Sequence, residues 1–212
     1  MKFTPFFSLL LMITLYSCSS TNDVKQSFTD LCSAAENQAF DELPAMVTTG
    51  SLQYLNTIIE SARTDNETEM LHLGHSSERP LMTMMLFQQL VNELRIDSTS
   101  LDGVEAPDLL SAFTFLGTGP FQPGLQLDDA MSTSSTTANL YVVVPTGGKV
   151  SILSTYQYEL EDGRWKVDFP STLEVPEKVL NQSFKKSGLG IRTYVTRYLN
   201  INPEEMEFRY RY

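Results

Sequence analysis

The sequence predicts an α+β protein: N-terminal helices packed on a curved antiparallel sheet, with a C-terminal helical extension. Three observations carry that prediction. Apolar residues recur at helical spacing through residues 25–95, alternate with period two between residues 139 and 169, and return to helical spacing after Pro176. Helices in one run and strands in the next, with no strand–helix alternation, specify segregated layers rather than a parallel sheet. A length of 212 residues suits one domain with an extension, and a hydrophobic content of 42% supplies a core. The expected boundaries are a leader over 1–17, a flexible tether over 18–24, a domain over 25–170 and an extension over 171–212 that packs on the sheet.

The first element is the leader. Lys2 supplies positive charge, and Phe6-Phe7-Ser8-Leu9-Leu10-Leu11-Met12-Ile13-Thr14-Leu15 is an apolar run. Spanning a bilayer takes about 20 apolar residues, so this run reads as a signal peptide rather than a span. It ends in Leu15-Tyr16-Ser17-Cys18, which resembles the lipobox of bacterial lipoproteins, with Tyr16 where a small residue is usual. The resemblance implies cleavage before Cys18 and lipid on its thiol. Several acyl chains, each methylene contributing about 0.8 kcal/mol, would hold the chain on a membrane. Ser19-Ser20-Thr21-Asn22-Asp23 reads as the tether. By analogy with lipoprotein sorting, the lack of Asp directly after the cysteine points to an outer membrane.

Residues 25–44 place Phe28, Leu31, Cys32, Ala35, Ala39, Phe40 and Leu43 on one helical face. Pro44 and Thr48-Thr49-Gly50 break it. Ser51 then caps a second helix with Leu52, Leu55, Ile58, Ile59 and Ala62 inward. A third helix from about Ser77 to Arg95 has Pro80 in its first turn and a core stripe of Leu81, Met84, Met85, Leu90, Val91 and Leu94. Pro107-Asp108 opens a short helix through Leu109, Leu110, Phe113 and Leu116, whereas residues 117–124 and 129–137 read as loop or strand edge.

Glu161-Asp162-Gly163-Arg164 is a hairpin signal, because Asp-Gly tolerates the positive φ of a type I′ turn. Folding there sets Leu160 opposite Trp165, Tyr158 opposite Val167 and Tyr156 opposite Phe169 on one face. Glu159 then meets Lys166, and Glu161 meets Arg164, on the other; a slip of one residue would destroy both patterns. A turn at Gly147-Gly148 sets Tyr141 opposite Ser154 and Val143 opposite Ile152. Leu140 then lies near Thr155 and Val142 opposite Leu153 on the reverse face. Tyr141, Tyr156, Tyr158, Trp165 and Phe169 are therefore the candidate lining of an inner cavity. In the extension, Pro176-Glu177 opens a helix with Val179, Leu180 and Phe184 inward, ended by Gly188. Ile191, Tyr194, Val195, Tyr198 and Leu199 suggest another. Asn202-Pro203-Glu204-Glu205 suits a helix start, while Phe208 to Tyr212 alternates like a strand.

Two passages, Phe28-Thr29-Asp30-Leu31 through Phe40-Asp41-Glu42-Leu43-Pro44-Ala45-Met46-Val47 and Tyr158-Glu159-Leu160-Glu161-Asp162-Gly163-Arg164-Trp165-Lys166-Val167, resemble the nuclear-transport-factor-2-like (ketosteroid-isomerase-like) cone fold. The resemblance spans residues 25–170 and implies a cone-like cavity between helices and sheet. It implies no activity, since the fold hosts both enzymes and binding modules.

Charge and chemistry narrow the function. The net charge is −11, and removing residues 1–17 takes only Lys2 and makes it −12. Such acidity opposes nucleic-acid binding and adhesion to anionic headgroups. With Cys18 acylated, Cys32 is the remaining thiol, so no internal disulfide is expected and Cys32 reads as a small core residue. His72 and His75, with Glu69 and Glu78, have metal-compatible spacing but lie in polar sequence with no nearby cysteine, and no metal or cofactor is expected. A ketosteroid-isomerase-type site needs a carboxylate beside a tyrosine within the cavity, yet Glu159, Glu161 and Asp168 face outward. Asp97-Ser98-Thr99 resembles an O-glycosylation acceptor. The expectation is a lipid-anchored envelope protein that binds another envelope protein or a small apolar ligand without catalysis. The alternatives are a cavity enzyme of ketosteroid-isomerase type and a structural subunit docking through Phe208, Tyr210 and Tyr212.

Overall fold

The computed structural model describes residues 6–63, 80–93, 102–116, 124–145 and 151–199, with side chains for 21–60, 80–86, 102–114, 124–143, 154–191 and 193–197. His72, His75, the Gly147-Gly148 turn, Asp97-Ser98-Thr99 and the tail from 200 lie outside the described residues. The architecture is α+β, with a four-stranded antiparallel sheet in the order β1 (Gln126–Ser132), β2 (Thr137–Pro145), β3 (Ser151–Glu161), β4 (Arg164–Val167). The chain divides into two compact units, residues 1–51 with 110–172 and residues 52–109 with 173–212. Within the second unit, a helix from the middle of the chain shares a core with helices after residue 173.

In the first unit, α1 (Phe6–Glu36) carries Val24, Phe28, Leu31 and Ala35 as a buried stripe. The helix runs straight through residues 18–24, where a flexible tether was expected, and it stops at Glu36 rather than near 44. Gln38 ends it with φ of 56°, while the Ala39 amide bonds back to the Ala34 carbonyl at 2.9 Å. A 3-10 turn, Leu43–Met46, follows. Val47 then bridges Val167 in parallel and extends the sheet past β4.

The β3–β4 hairpin has the expected register: Tyr158 pairs with Val167, Glu159 with Lys166, Leu160 with Trp165 and Glu161 with Arg164. Asp162 and Gly163 take φ of 53° and 75°, the type I′ turn that the Asp-Gly pair specifies. Pairing ends at Val167, and Phe169 enters a short helix, α5 (Phe169–Thr172), instead of facing Tyr156. The β2–β3 register differs from expectation by one residue: Leu140 pairs with Tyr156, and Tyr141 with Thr155. Because side chains alternate with period two, this shift carries Tyr141 to the solvent face. It buries Ala138, Leu140 and Val142 in its place, which is the more apolar inner set. β1 lies where a loop or strand edge was expected, bulged at Asp128.

The same unit is tied at the start of α2 (Thr49–Arg63), a helix that continues into the second unit. Thr48, not the expected Ser51, is the cap: its hydroxyl accepts the Ser51 amide at 3.1 Å. Ser51, fully buried, accepts the Phe169 amide at 2.9 Å and donates to the Val167 carbonyl at 3.2 Å. One hydroxyl thus satisfies backbone groups at the end of β4.

The second unit contains α3 (Pro80–Glu93), the first residues of α4 (Ala106–Leu116), α6 (Glu174–Ser187) and α7 (Ile191–Leu199). Leu81, Met84, Leu180, Tyr194 and Val195 form one of its buried clusters, with Phe184 and Tyr194 edge to face at 5.3 Å. α6 ends at Gly188, φ 65°, as its sequence specifies. It starts earlier than Pro176, so Glu177 falls inside the helix, 3% exposed. Its carboxylate accepts the Leu81 and Met82 amides at 3.3 and 2.8 Å and the Asn181 amide at 3.1 Å, capping α3 from a neighbouring helix.

Candidate functional site

Alternation along β2, β3 and β4 gives the sheet an inner face under α1 and an outer face toward solvent. The cavity expected on the inner face is filled. Tyr156, Tyr158, Trp165 and Phe169 are 3%, 2%, 7% and 2% exposed. The Phe28 ring stands edge-on to Tyr156 at 6.4 Å. Tyr141, the fifth expected lining residue, is half-buried and lies on the other face.

Burial controls the chemistry inside. Desolvation, and then repulsion by the neighbouring Cys32 sulfur, pushes both Tyr156 and Tyr158 well above the ordinary phenol value. Among the described residues, the buried Tyr158 hydroxyl has no hydrogen-bond partner. Cys32 is half-buried rather than fully buried, and burial, with the Glu36 charge second, raises its thiol to about 11. A thiol in that state is a poor nucleophile.

The tyrosines have no buried carboxylate beside them. Among the described residues the buried polar side chains of this unit are Thr48, Ser51, Thr114 and Thr172, while the buried acid, Glu177, belongs to the second unit. Glu161 accepts Lys166 at 2.9 Å and the Thr49 amide at 3.0 Å, and these two bonds hold its carboxyl below the ordinary value. Lys166 therefore pairs diagonally with Glu161, not with its cross-strand partner Glu159. Asp168 turns its carboxylate to the Ser171 amide at 3.3 Å and caps α5.

Among the described residues, a groove and a recess of this unit are open. The larger is a groove of about 1070 Å³ walled by Asp23, Gln26 and Asp30 of α1, by Glu42 and Met46 of the 3-10 turn, and by Arg164 of the hairpin. Leu160 and the edge of Trp165 also line it, along with Ser135 and Thr136 of the β1–β2 turn. Gln26 donates to Asp30 at 2.8 Å and fixes that carboxylate. The smaller is a polar recess of about 280 Å³ on the outer sheet face, lined by Thr133, Thr137, Asn139, Gln157, Glu159 and Asp168. Of the groove's lining, Trp165 is a candidate site residue from the sequence, assigned there to the inner cavity; the acidic residues of α1 are not. The available signal was Asp23, Gln26 and Asp30, spaced three and four apart so that they share a face of α1.

Among the described residues, no group of three or more His, Cys, Asp or Glu side chains could hold a metal ion, and no helix is long and apolar enough to cross a membrane. Cys18 lies on the backbone of α1. No protein-family model matches the chain, and no curated protein matches it in sequence.

Proposed function

We propose that this chain is a lipid-anchored protein of the bacterial cell envelope, with a cone-fold-like domain that binds an envelope protein through the groove between α1 and the β3–β4 hairpin. The observation that carries this reading is the closed inner face. With Tyr156, Tyr158, Trp165 and Phe169 in the core, the interior favours neither a small apolar ligand nor catalysis of the ketosteroid-isomerase type, and the open groove is the larger surface left for recognition. Its apolar floor of Leu160 and Trp165 with a rim of Asp23, Asp30 and Glu42 suits a segment that presents apolar side chains flanked by Lys or Arg. Asp23 follows Cys18 by five residues within one helix, a rise of about 7.5 Å, so an acyl chain on Cys18 would hold the groove close to the bilayer surface.

The test uses the full-length chain in its native membrane, with a photo-crosslinking residue in place of Asp30. The expected result is an adduct to a basic segment of one envelope protein, lost in Asp23→Lys/Glu42→Lys while Trp165 fluorescence stays native. Palmitate-analogue label that depends on Cys18 is expected alongside. No adduct, or an adduct indifferent to the charge reversals, overturns the groove reading; absence of Cys18-dependent label overturns the anchor.

A further inference from the structure

The smaller recess carries an inference that does not depend on the groove. The cross-strand pairs Thr137–Glu159 and Asn139–Gln157 are alternate rungs of the β2–β3 ladder, with Ala138–Tyr158 between them. Their side chains share the outer face, since the alternate positions Ala138 and Tyr158 are buried inside. Asp168 closes one side, held there by its own amide bonding to the Gln157 carbonyl at 2.8 Å. Thr133 and Thr137 close the other, their hydroxyls joined at 2.7 Å.

Asn139 and Gln157 are half-buried and line the recess, and among the described residues neither side-chain amide takes part in a hydrogen bond. Each carboxamide offers two donors and an acceptor, and the neighbouring carboxylates of Glu159 and Asp168 add acceptors only. The group that satisfies such a mixed set is one that donates and accepts at once, which is a hydroxyl. Vicinal hydroxyls at the spacing of a pyranose ring can be read by the two amides together, and they replace water without losing its hydrogen bonds. A phosphate or uronate would meet two carboxylates. A hard cation would find only two, well short of its usual shell of charged oxygens.

We propose that this recess is a subsite for one residue of a neutral or amino-bearing glycan, with Asn139 and Gln157 as its reading groups and Glu159 and Asp168 selecting against acidic sugars.

The test titrates the full-length protein with D-glucose, D-mannose, N-acetyl-D-glucosamine and D-glucuronate, read by ligand-observed NMR. The expected result is binding of at least one uncharged sugar with a Kd of about 1 mM, the weak range for a shallow site. Glucuronate should bind at least about tenfold more weakly. Gln157→Glu, which keeps size but removes both donors, and Asn139→Ala should each weaken binding about tenfold, with the unfolding midpoint unchanged. Leu127→Ala, on β1 and outside the recess, should leave it intact. No uncharged-sugar binding at about 10 mM, equal binding of glucuronate, or indifference to both recess variants overturns the proposal.

Discussion

Removing the Tyr158 hydroxyl should make the protein more stable. The ring is 2% exposed and its buried hydroxyl has no hydrogen-bond partner among the described residues, so folding strips that group of water and returns nothing. An unsatisfied buried polar group costs about 1–3 kcal/mol. Tyr158→Phe removes that cost and keeps the ring. The void it leaves, roughly 10 Å³ at about 24 cal/mol per Å³, costs only about 0.2 kcal/mol. The net expectation is a gain of about 1–2 kcal/mol, equivalent to roughly 2–8 °C in Tm for a chain of this size. Trp165 is the chain's one tryptophan and lies on the same sheet face two rungs away, opposite Leu160, so its fluorescence follows this unit in urea. The midpoint should rise with the slope unchanged. A loss of about 1 kcal/mol or more would refute the reasoning, because it would mean that the hydroxyl has a partner. The inner face would then be wet, and the readings set aside because it is closed would return.

The other predictions test the ties around that core. Ser51→Ala leaves the buried Phe169 amide without its acceptor and should cost about 2–3 kcal/mol in the same urea assay. Glu177→Ala uncaps α3 and should cost about 1–3 kcal/mol, with hydrogen exchange accelerated at the Leu81 and Met82 amides. Glu161 has a lowered pKa in the folded state, so its contribution is full above the ordinary value of 4.5 and fades as pH falls through the lowered one. Glu161→Gln should therefore be less stable at pH 7, and the gap to the parent protein should close on acidification; a gap independent of pH contradicts the assignment. Cys32, raised from 9.0 to about 11, holds about one hundredth of the thiolate of an ordinary cysteine below pH 9. With Cys18 acylated or replaced by Ser, alkylation at pH 8 should be about 100-fold slower than for a peptide thiol and should recover in denaturant.

How much of this was legible in the sequence depends on which interactions set each element. The β3–β4 hairpin was readable because its information is local: Asp162-Gly163 fixes the turn, and two faces of side chains confirm the register. The β2–β3 register was not, since Pro145 pairs with Ser151 across a longer connection than the two-residue turn assumed at Gly147-Gly148. That one-residue difference decided where Tyr141 points. Helix α1 kept going through Ser19-Ser20-Thr21-Asn22 because polar residues of middling helix propensity do not stop a helix that apolar residues extend on both sides. The second unit was illegible for another reason. Leu81 and Tyr194 are 113 positions apart, and no local pattern announces that two amphipathic helices so distant share a core. Glu177 read as a helix opener for the same cause, its true partners being the amides of residues 81 and 82.

The two faces of the sheet answer different questions, and one alternation sets both. Putting Ala138, Leu140, Tyr156 and Tyr158 inward closes the interior. The same pleat must then deliver Thr137, Asn139, Gln157 and Glu159 outward, onto alternate rungs. The carboxylates that argued against interior catalysis by facing solvent are thus the groups that give the outer recess its acceptors. If the register slipped by one residue on β2, Asn139 and Thr137 would turn inward and Leu140 outward, emptying the recess and breaking the core in a single step. Core packing and the outer polar row therefore cannot be varied independently along β2. A substitution that shifts this register, such as an insertion in residues 146–150, should abolish native Trp165 fluorescence and sugar binding together. Asn139→Ala should touch only the second. Separation of those two effects by the insertion would show that the recess is not built by the ladder, and the account of both faces would fail with it.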